Sequence, residues 1–173
     1  VKSALKSIVI GKNSGKHVNN VSNTIIGINA ASSSNASLLS NSVVIGNDSV
    51  SSSMNPTSSF ISSSSNVLVG VQCATNLLNP SINGGYHNVM LGYQAGAKTT
   101  HGNSNVFVGY RAGIKNTTGS NNIFINNDGI PGGKNNIIIG SSSHIQNNAS
   151  NRFSIAGVIE GVWNSSHNSV DIN

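Results

Sequence analysis

Apolar residues enter this chain in isolated groups of three. A polar residue, an apolar triplet and a glycine recur as Ser7–Gly11, Asn23–Gly27, Ser42–Gly46, Asn66–Gly70, Asn88–Gly92, Asn105–Gly109, Asn122–Asn126 and Asn136–Gly140, eight copies in all. Thr24 is the one polar residue inside a triplet, and Asn126 the one replacement of the glycine. Three positions past the glycine column stand Ser14, Ala30, Ser49, Cys73, Ala95, Ala112, Gly129 and Ser143, all of them small. Start-to-start spacings run 16, 19, 24, 22, 17, 17 and 14 residues. A fixed kernel with variable spacers is the mark of a solenoid, in which each coil touches only its neighbours and tolerates insertions. The long inserts, Ser51–Ser65 and Thr75–His87, hold Pro56 and Pro80 and are rich in Ser and Asn, as loops are.

Each triplet, mostly Val and Ile, reads as a short strand. Strands stacked about 4.8 Å apart would place equivalent residues in ladders and make a rod of about 35–40 Å. The polar residue before the triplet, usually Asn, can bond its own backbone and the Asn of the next coil. Glycine permits the turn, and the small column lets the second side of the coil approach the first. The predicted fold is all-β, a parallel β-solenoid or β-roll of about eight coils over residues 1–150. Residues 151–173 form a short β capping or connector segment, with strands around Phe153 and Ile155, then Val158, Val162 and Trp163, then Val170 and Ile172. Trp163 is read as part of a hydrophobic cap, with sugar binding as the alternative.

Neighbouring residues of a strand point to opposite faces, and here both faces are apolar. One face can pack inside the coil. The other needs a cover, and no helical pattern supplies one. A sister chain is the predicted cover, with long loops folding over the stripe as the alternative. The middle column, Val9, Ile25, Val44, Leu68, Met90, Phe107, Phe124 and Ile138, is assigned to the subunit interface.

The stretch Asn41–Ser49, Asn-Ser-Val-Val-Ile-Gly-Asn-Asp-Ser, resembles the head repeat of trimeric autotransporter adhesins. That family's repeat reads Asn-Ser-Val-Ala-Ile-Gly with Ser following shortly after. Asn88–Gly96 and Asn105–Gly113 are similar to the version of this repeat in phage and large-virus fibres and spikes, upstream of an endosialidase-type intramolecular chaperone. Asn151–Asn173 resembles the β segment between such repeats and that chaperone. The resemblance implies a left-handed β-roll, three chains around one axis and an attachment role. The irregular spacing and bulky middle column depart from the adhesin pattern.

Composition narrows the chemistry. Only 8% of residues are charged and 5% aromatic, with a formal net charge of +5. The basic residues do not interleave with aromatics, so no nucleic-acid partner is expected. No stretch suits membrane insertion or a signal peptide. An opening at Val1 suggests a fragment or processed product. The single cysteine, Cys73, sits in the small column and is read as packing. The acids Asp48, Asp128, Glu160 and Asp171 are dispersed, and the histidines His17, His87, His101, His144 and His167 lack zinc-like spacing. No catalytic residue, metal or cofactor is assigned. Candidate receptor contacts are Phe60, Tyr86 and His87 in the long inserts, and Tyr93, Tyr110 and Arg111 beside the glycine column.

The function expected is therefore non-enzymatic: a structural or attachment module of a homotrimeric viral or phage fibre or spike. It would join other fibre segments or virion proteins, meet a host receptor or glycan, and sit on the virion surface or outside the cell. Alternatives are a bacterial trimeric surface adhesin, a tailspike-like glycan-degrading enzyme and, last, an ice-binding solenoid, for which a regular Thr ladder is missing.

Overall fold

The computed structural model describes residues 6–19, 22–32, 39–51, 63–77, 85–140, 147–164 and 169–172. Phe60, Ser143, His144 and His167 lie outside these residues, as does the side chain of Trp163.

Among the described residues there is no helix, and every apolar triplet is a strand. In chain order these are β1 (Ile8–Ile10), β2 (Thr24–Ile26), β3 (Leu39–Ser40), β4 (Val43–Ile45), β5 (Ser63–Ser64), β6 (Val67–Val69), β7 (Val89–Leu91), β8 (Val106–Val108), β9 (Ile123–Ile125) and β10 (Ile137–Ile139). Then follow β11 (Arg152–Ile155), β12 (Ile159–Asn164) and β13 (Ser169–Ile172). One sheet runs β1-β2-β4-β6-β7-β8-β9-β10-β11-β12-β13, and β3 pairs with β5 beside it. From β1 to β11 the pairing is parallel and in register, so that Val9, Ile25, Val44, Leu68, Met90, Phe107, Phe124 and Ile138 form one continuous row. The chain is a parallel β-solenoid, as its repeat predicts. It ends differently: β12 and β13 turn back as an antiparallel meander on β11.

Tight coils demand repeated left-handed backbone. The residue before the polar column is left-handed in coil after coil, with φ of 58° at Ser65 and His87, 56° at Ser104, 59° at Asn121 and 57° at Asn135. Ser, His and Asn fill this position, and a short polar side chain offsets part of its strain. The glycine column has a stricter need. Gly92 has φ +136°, and a Cβ there would stand 2.3 Å from the carbonyl oxygen of Gly109. Consecutive coils touch backbone to backbone at this corner, which favours glycine, and the one departure, Asn126, is left-handed at φ 51°.

The polar column is a buried spine. Asn66, Asn88, Asn105, Asn122 and Asn136 are at most 1% exposed. Each side-chain oxygen accepts the backbone N–H of the following coil: Asn88 to Asn66 at 2.8 Å, then Asn105 to Asn88, Asn122 to Asn105 and Asn136 to Asn122, each at 3.0 Å. The Asn105 amide nitrogen donates to Gly119 O at 2.9 Å, closing its own coil, and Asn88 does the same to Gly102 O. Buried amides are stable here because their hydrogen bonds are met.

The middle column is where the structure corrects the sequence reading. Ile25, Val44, Leu68, Met90, Phe107 and Phe124 are fully buried within one chain, and Ile138 is 1% exposed. They fill the interior against the small column and are not available to a sister chain. Only Val9, in the first described coil, is open, at 47%. The reason is the pleat: inward and outward side chains alternate, and the middle residue takes the inward place because the small column faces it. At the far end Ser154 takes that place and is buried, its hydroxyl 3.3 Å from Glu160 Oε1.

Candidate functional site

With the middle column spent on the core, the outward face belongs to the two flanking columns. One runs Ile8, Thr24, Val43, Val67, Val89, Val106, Ile123 and Ile137, and the other Ile10, Ile26, Ile45, Val69, Leu91, Val108, Ile125 and Ile139. Ile8, Ile10, Val67 and Ile137 are exposed and the other twelve half-buried, and Phe153 and Ile155 carry the two columns one strand further. Fifteen of these sixteen repeat positions are apolar, so the stripe is continuous along the rod. Exposed apolar area of that extent marks an interaction surface.

Ladders border the stripe on both sides. On the glycine side, the rings of Tyr93 and Tyr110 stack with centroids 5.5 Å apart and planes 8° from parallel. Gln94 Nε2 donates to Gln72 Oε1 at 2.8 Å, and Asn29 Nδ2 donates to Asp48 Oδ1 at 2.9 Å. Arg111 stands exposed in the same line as Gln94, at left-handed φ 55°. On the other side run the left-handed residues. Asn121 Nδ2 donates to Asn135 Oδ1 at 3.2 Å, and Asn135 Nδ2 to Asn151 Oδ1 at 2.9 Å. This outer ladder and the flanking column line a groove of about 460 Å³, formed by Asn121, Ile123, Asn135, Ile137, Asn151, Arg152 and Phe153.

The predicted contact residues thus separate into two groups. Tyr93, Tyr110 and Arg111 come together at the glycine edge. Tyr86 and His87, with rings 6.4 Å apart, precede β7 and lie at the opposite edge. The three-residue strand stands between the groups, so they do not converge on one pocket. Neither the outward columns nor the outer Asn ladder was singled out by sequence. Thr24 carried the signal for the first, because a polar residue is more readily tolerated in an outward column than in the middle column of the triplets.

Among the described residues the titratable groups form no cluster of metal-ligating side chains. Asp48 and Asp128 lie in the turns after β4 and β9, four strands apart in the sheet, which at about 4.8 Å per strand is about 19 Å. Carboxylate pairs that hydrolyse glycosides stand about 5–10 Å apart. Asp128 is 3.4 Å from Lys115 Nζ in an exposed ion pair. His101 Nδ1 is 2.6 Å from Thr100 Oγ1. Among the described residues no three His, Cys, Asp or Glu side chains gather as metal ligands would. Cys73 is fully buried, and its Sγ donates to Met90 O at 3.3 Å. Desolvation pushes its thiol up to about 12, against a smaller opposing effect of a backbone hydrogen bond from Val69. It is an unreactive packing residue.

No protein-family model matches the chain, and no curated protein and no solved structure matches it.

Proposed function

We propose that this chain is a non-enzymatic structural and attachment module, a segment of a homotrimeric viral or phage fibre or spike. Three left-handed rolls cover one another's outward stripes, and the bordering ladders meet a host receptor or glycan. The observation that carries this reading is the two-column apolar face, open along the whole stack of one chain while the core beneath it is complete. A rod whose core is already closed has no use for such a face except to lie against another surface. A sister chain offers an identical stripe of the same length and spacing. The resemblance of Asn41–Ser49 to adhesin head repeats supports three-fold packing and the attachment role. The receptor-facing residues in this reading are Tyr93, Tyr110 and Arg111 at one edge and Tyr86 and His87 at the other. Phe60, also a candidate, lies outside the described residues.

Sedimentation of the native chain tests it. The expected mass is three times 17.7 kDa. Replacing Val106 and Val108 together by Lys should give a folded monomer, because both side chains point away from the core. A monomeric wild-type chain overturns the reading.

A further inference from the structure

Two consecutive turns at the glycine edge share one motif. Gly92–Lys98 reads Gly-Tyr-Gln-Ala-Gly-Ala-Lys, and Gly109–Lys115 reads Gly-Tyr-Arg-Ala-Gly-Ile-Lys. The two turns are bonded directly to each other. Arg111 N–H donates to Tyr93 O and Gly96 N–H to Ala112 O, both at 2.8 Å, and Thr99 Oγ1 donates to Asn116 O at 2.9 Å. Equal positions therefore stand one above the other: Tyr93 against Tyr110, Gln94 beside Arg111, Lys98 beside Lys115. Within each turn Ala97 N–H returns to Gln94 O and Ile114 N–H to Arg111 O, which brings the lysine round beside the Gln or Arg. The coil before has Gln72 and Asn76 at the two polar positions, and the coil after has Asp128 and Gly132.

The charges on these turns do not cancel. Lys98, Arg111 and Lys115 are all exposed. Asp128, on the next coil, pairs with Lys115 at 3.4 Å. Asp48 lies two coils before Gln94 and accepts from Asn29. Among the described residues Lys98 and Arg111 have no ion-pair partner. Like charges set opposite one another on neighbouring segments repel, and an anion laid across both coils would offset that repulsion. Tyr93 and Tyr110, 43% and 69% exposed, stand at the same corner. Their inner faces are spent on each other at 5.5 Å, so a nucleobase finds no gap between them. Ring edges and hydroxyls remain, and a phenol hydroxyl bonds sugar hydroxyls as donor or acceptor. The coil repeat, about 4.8 Å, is close to the length of one sugar unit in an extended chain. Arg111 offers a planar fork to a carboxylate or sulfate, and the lysines offer point charges.

We infer that the paired turns Gly92–Lys98 and Gly109–Lys115 bind an acidic glycan, a sugar chain bearing carboxylate or sulfate groups, lying along the axis of the stack with successive units on successive turns. This rests on the attachment reading and names the ligand class of its glycine-edge residues.

Titration calorimetry of the chain at low salt tests it. The probes are a heparin hexasaccharide, which carries sulfate and carboxylate, an oligogalacturonate of the same length, which carries carboxylate alone, uncharged maltohexaose, and a single-stranded oligonucleotide. At least one acidic glycan should bind, and maltohexaose should not. Binding of heparin alone assigns the site to sulfate, and binding of both shows that carboxylate suffices. Lys98→Gln with Arg111→Gln, shown to be folded by circular dichroism, should weaken binding by at least about tenfold. Lys12→Gln with Lys16→Gln removes the same charge elsewhere and should leave binding nearly unchanged. Failure of both acidic glycans to bind, equal losses in the two double variants, or tighter binding of the oligonucleotide overturns the inference. Equal binding of maltohexaose also overturns it while leaving the attachment reading in place. Sedimentation of the same samples reports separately on the trimer, because the paired turns lie within one chain.

Discussion

The coils between Asn23 and His87 and those between Asn88 and Asn135 solve one packing problem in opposite ways. The earlier coils run 19, 24 and 22 residues, the later ones 17, 17 and 14. In the earlier coils the core holds Ile25, Val44 and Leu68, and six residues further on stand Ala31, Val50 and Ala74. In the next two coils the longer Met90 and the larger Phe107 hold the middle position, and the residue six further on shrinks to Gly96 and Gly113. A Cβ on Gly96 would fall 2.2 Å from Met90 Sδ, and one on Gly113 2.4 Å from the ring of Phe107. The third coil differs: six residues beyond Phe124 stands the buried Ile130, and room for the ring comes one position earlier, in the small column, where a Cβ placed on Gly129 would fall 2.9 Å from it. At Met90 and Phe107 a longer or wider middle side chain is matched by a glycine across the coil. The second side differs as well. Leu39 and Leu77 are fully buried in the long coils. The short coils instead bury Thr99 and Asn116, whose polar atoms bond to backbone: Thr99 Oγ1 to Asn116 O at 2.9 Å, and Asn116 Nδ2 to Gly119 O at 3.1 Å. Short coils leave no room for leucine there, and hydrogen bonds take over from apolar burial.

The comparison is most exposed at Gly113. Gly113→Ala places a methyl against Phe107 at a left-handed position, and overpacking plus backbone strain should cost roughly 4 kcal/mol in urea unfolding. The mirror change, Ala74→Gly, should stay within about 1 kcal/mol, because φ there is 50° and glycine accepts it without strain. Adding Phe107→Leu to Gly113→Ala should recover about half of the loss, and strict additivity in that double-mutant cycle would break the volume-exchange argument. Next in size, Leu77→Ala should cost about 3 kcal/mol by leaving a cavity in a long coil.

Smaller effects sharpen the contrast between inner and outer ladders. Asn105→Ala leaves the Asn122 N–H buried without its partner and takes one of two donors from the Gly119 carbonyl, and should cost about 2 kcal/mol. Asn135→Ala, in the exposed ladder, should change stability by less than about 0.5 kcal/mol. The subtlest effect concerns Cys73. Its folded thiol is held up to about 12 against a usual 9.0. The unfolded chain therefore loses that proton first, and the contribution to stability is whole below pH 9 and falls as pH rises toward 12. Cys73→Ala should remove that part of the alkaline decline, measured as the difference between the two chains. The native thiol should react with a disulfide reagent only as fast as the chain opens.

Most of the coil was legible in the sequence because its constraints are local and repeat. The glycine column, the Asn spine and the small column each reflect one backbone requirement, and Cys73 was readable from its column alone. The face assignment was not legible from polarity, since all three triplet positions are apolar and a two-letter reading treats them alike. Size held the missing information. Met90 lengthens and Phe107 widens where Gly96 and Gly113 stand, which ties the middle position to the interior. The outer ladder through Asn121, Asn135 and Asn151 stayed hidden because left-handed sites also accept the Ser104 and His87 that interrupt it. Tyr93 and Tyr110 were seen as a pair, but their separation from Tyr86 and His87 depends on the strand that stands between them.

The matched sizes along the core also bear on how the chain finds its register while folding. Most rungs present the same Asn spine and the same glycine corner, so a strand that skipped a neighbour would satisfy most of its hydrogen bonds equally well. A skipped rung would, however, set the broad ring of Phe107 or Phe124 beside a coil shaped for valine, and steric conflict would eject it. The aromatic pair, stacked 5.2 Å apart, thus serves as an address within an otherwise uniform zipper. Assembly starting there and spreading toward both ends would give each later coil a unique neighbour to find.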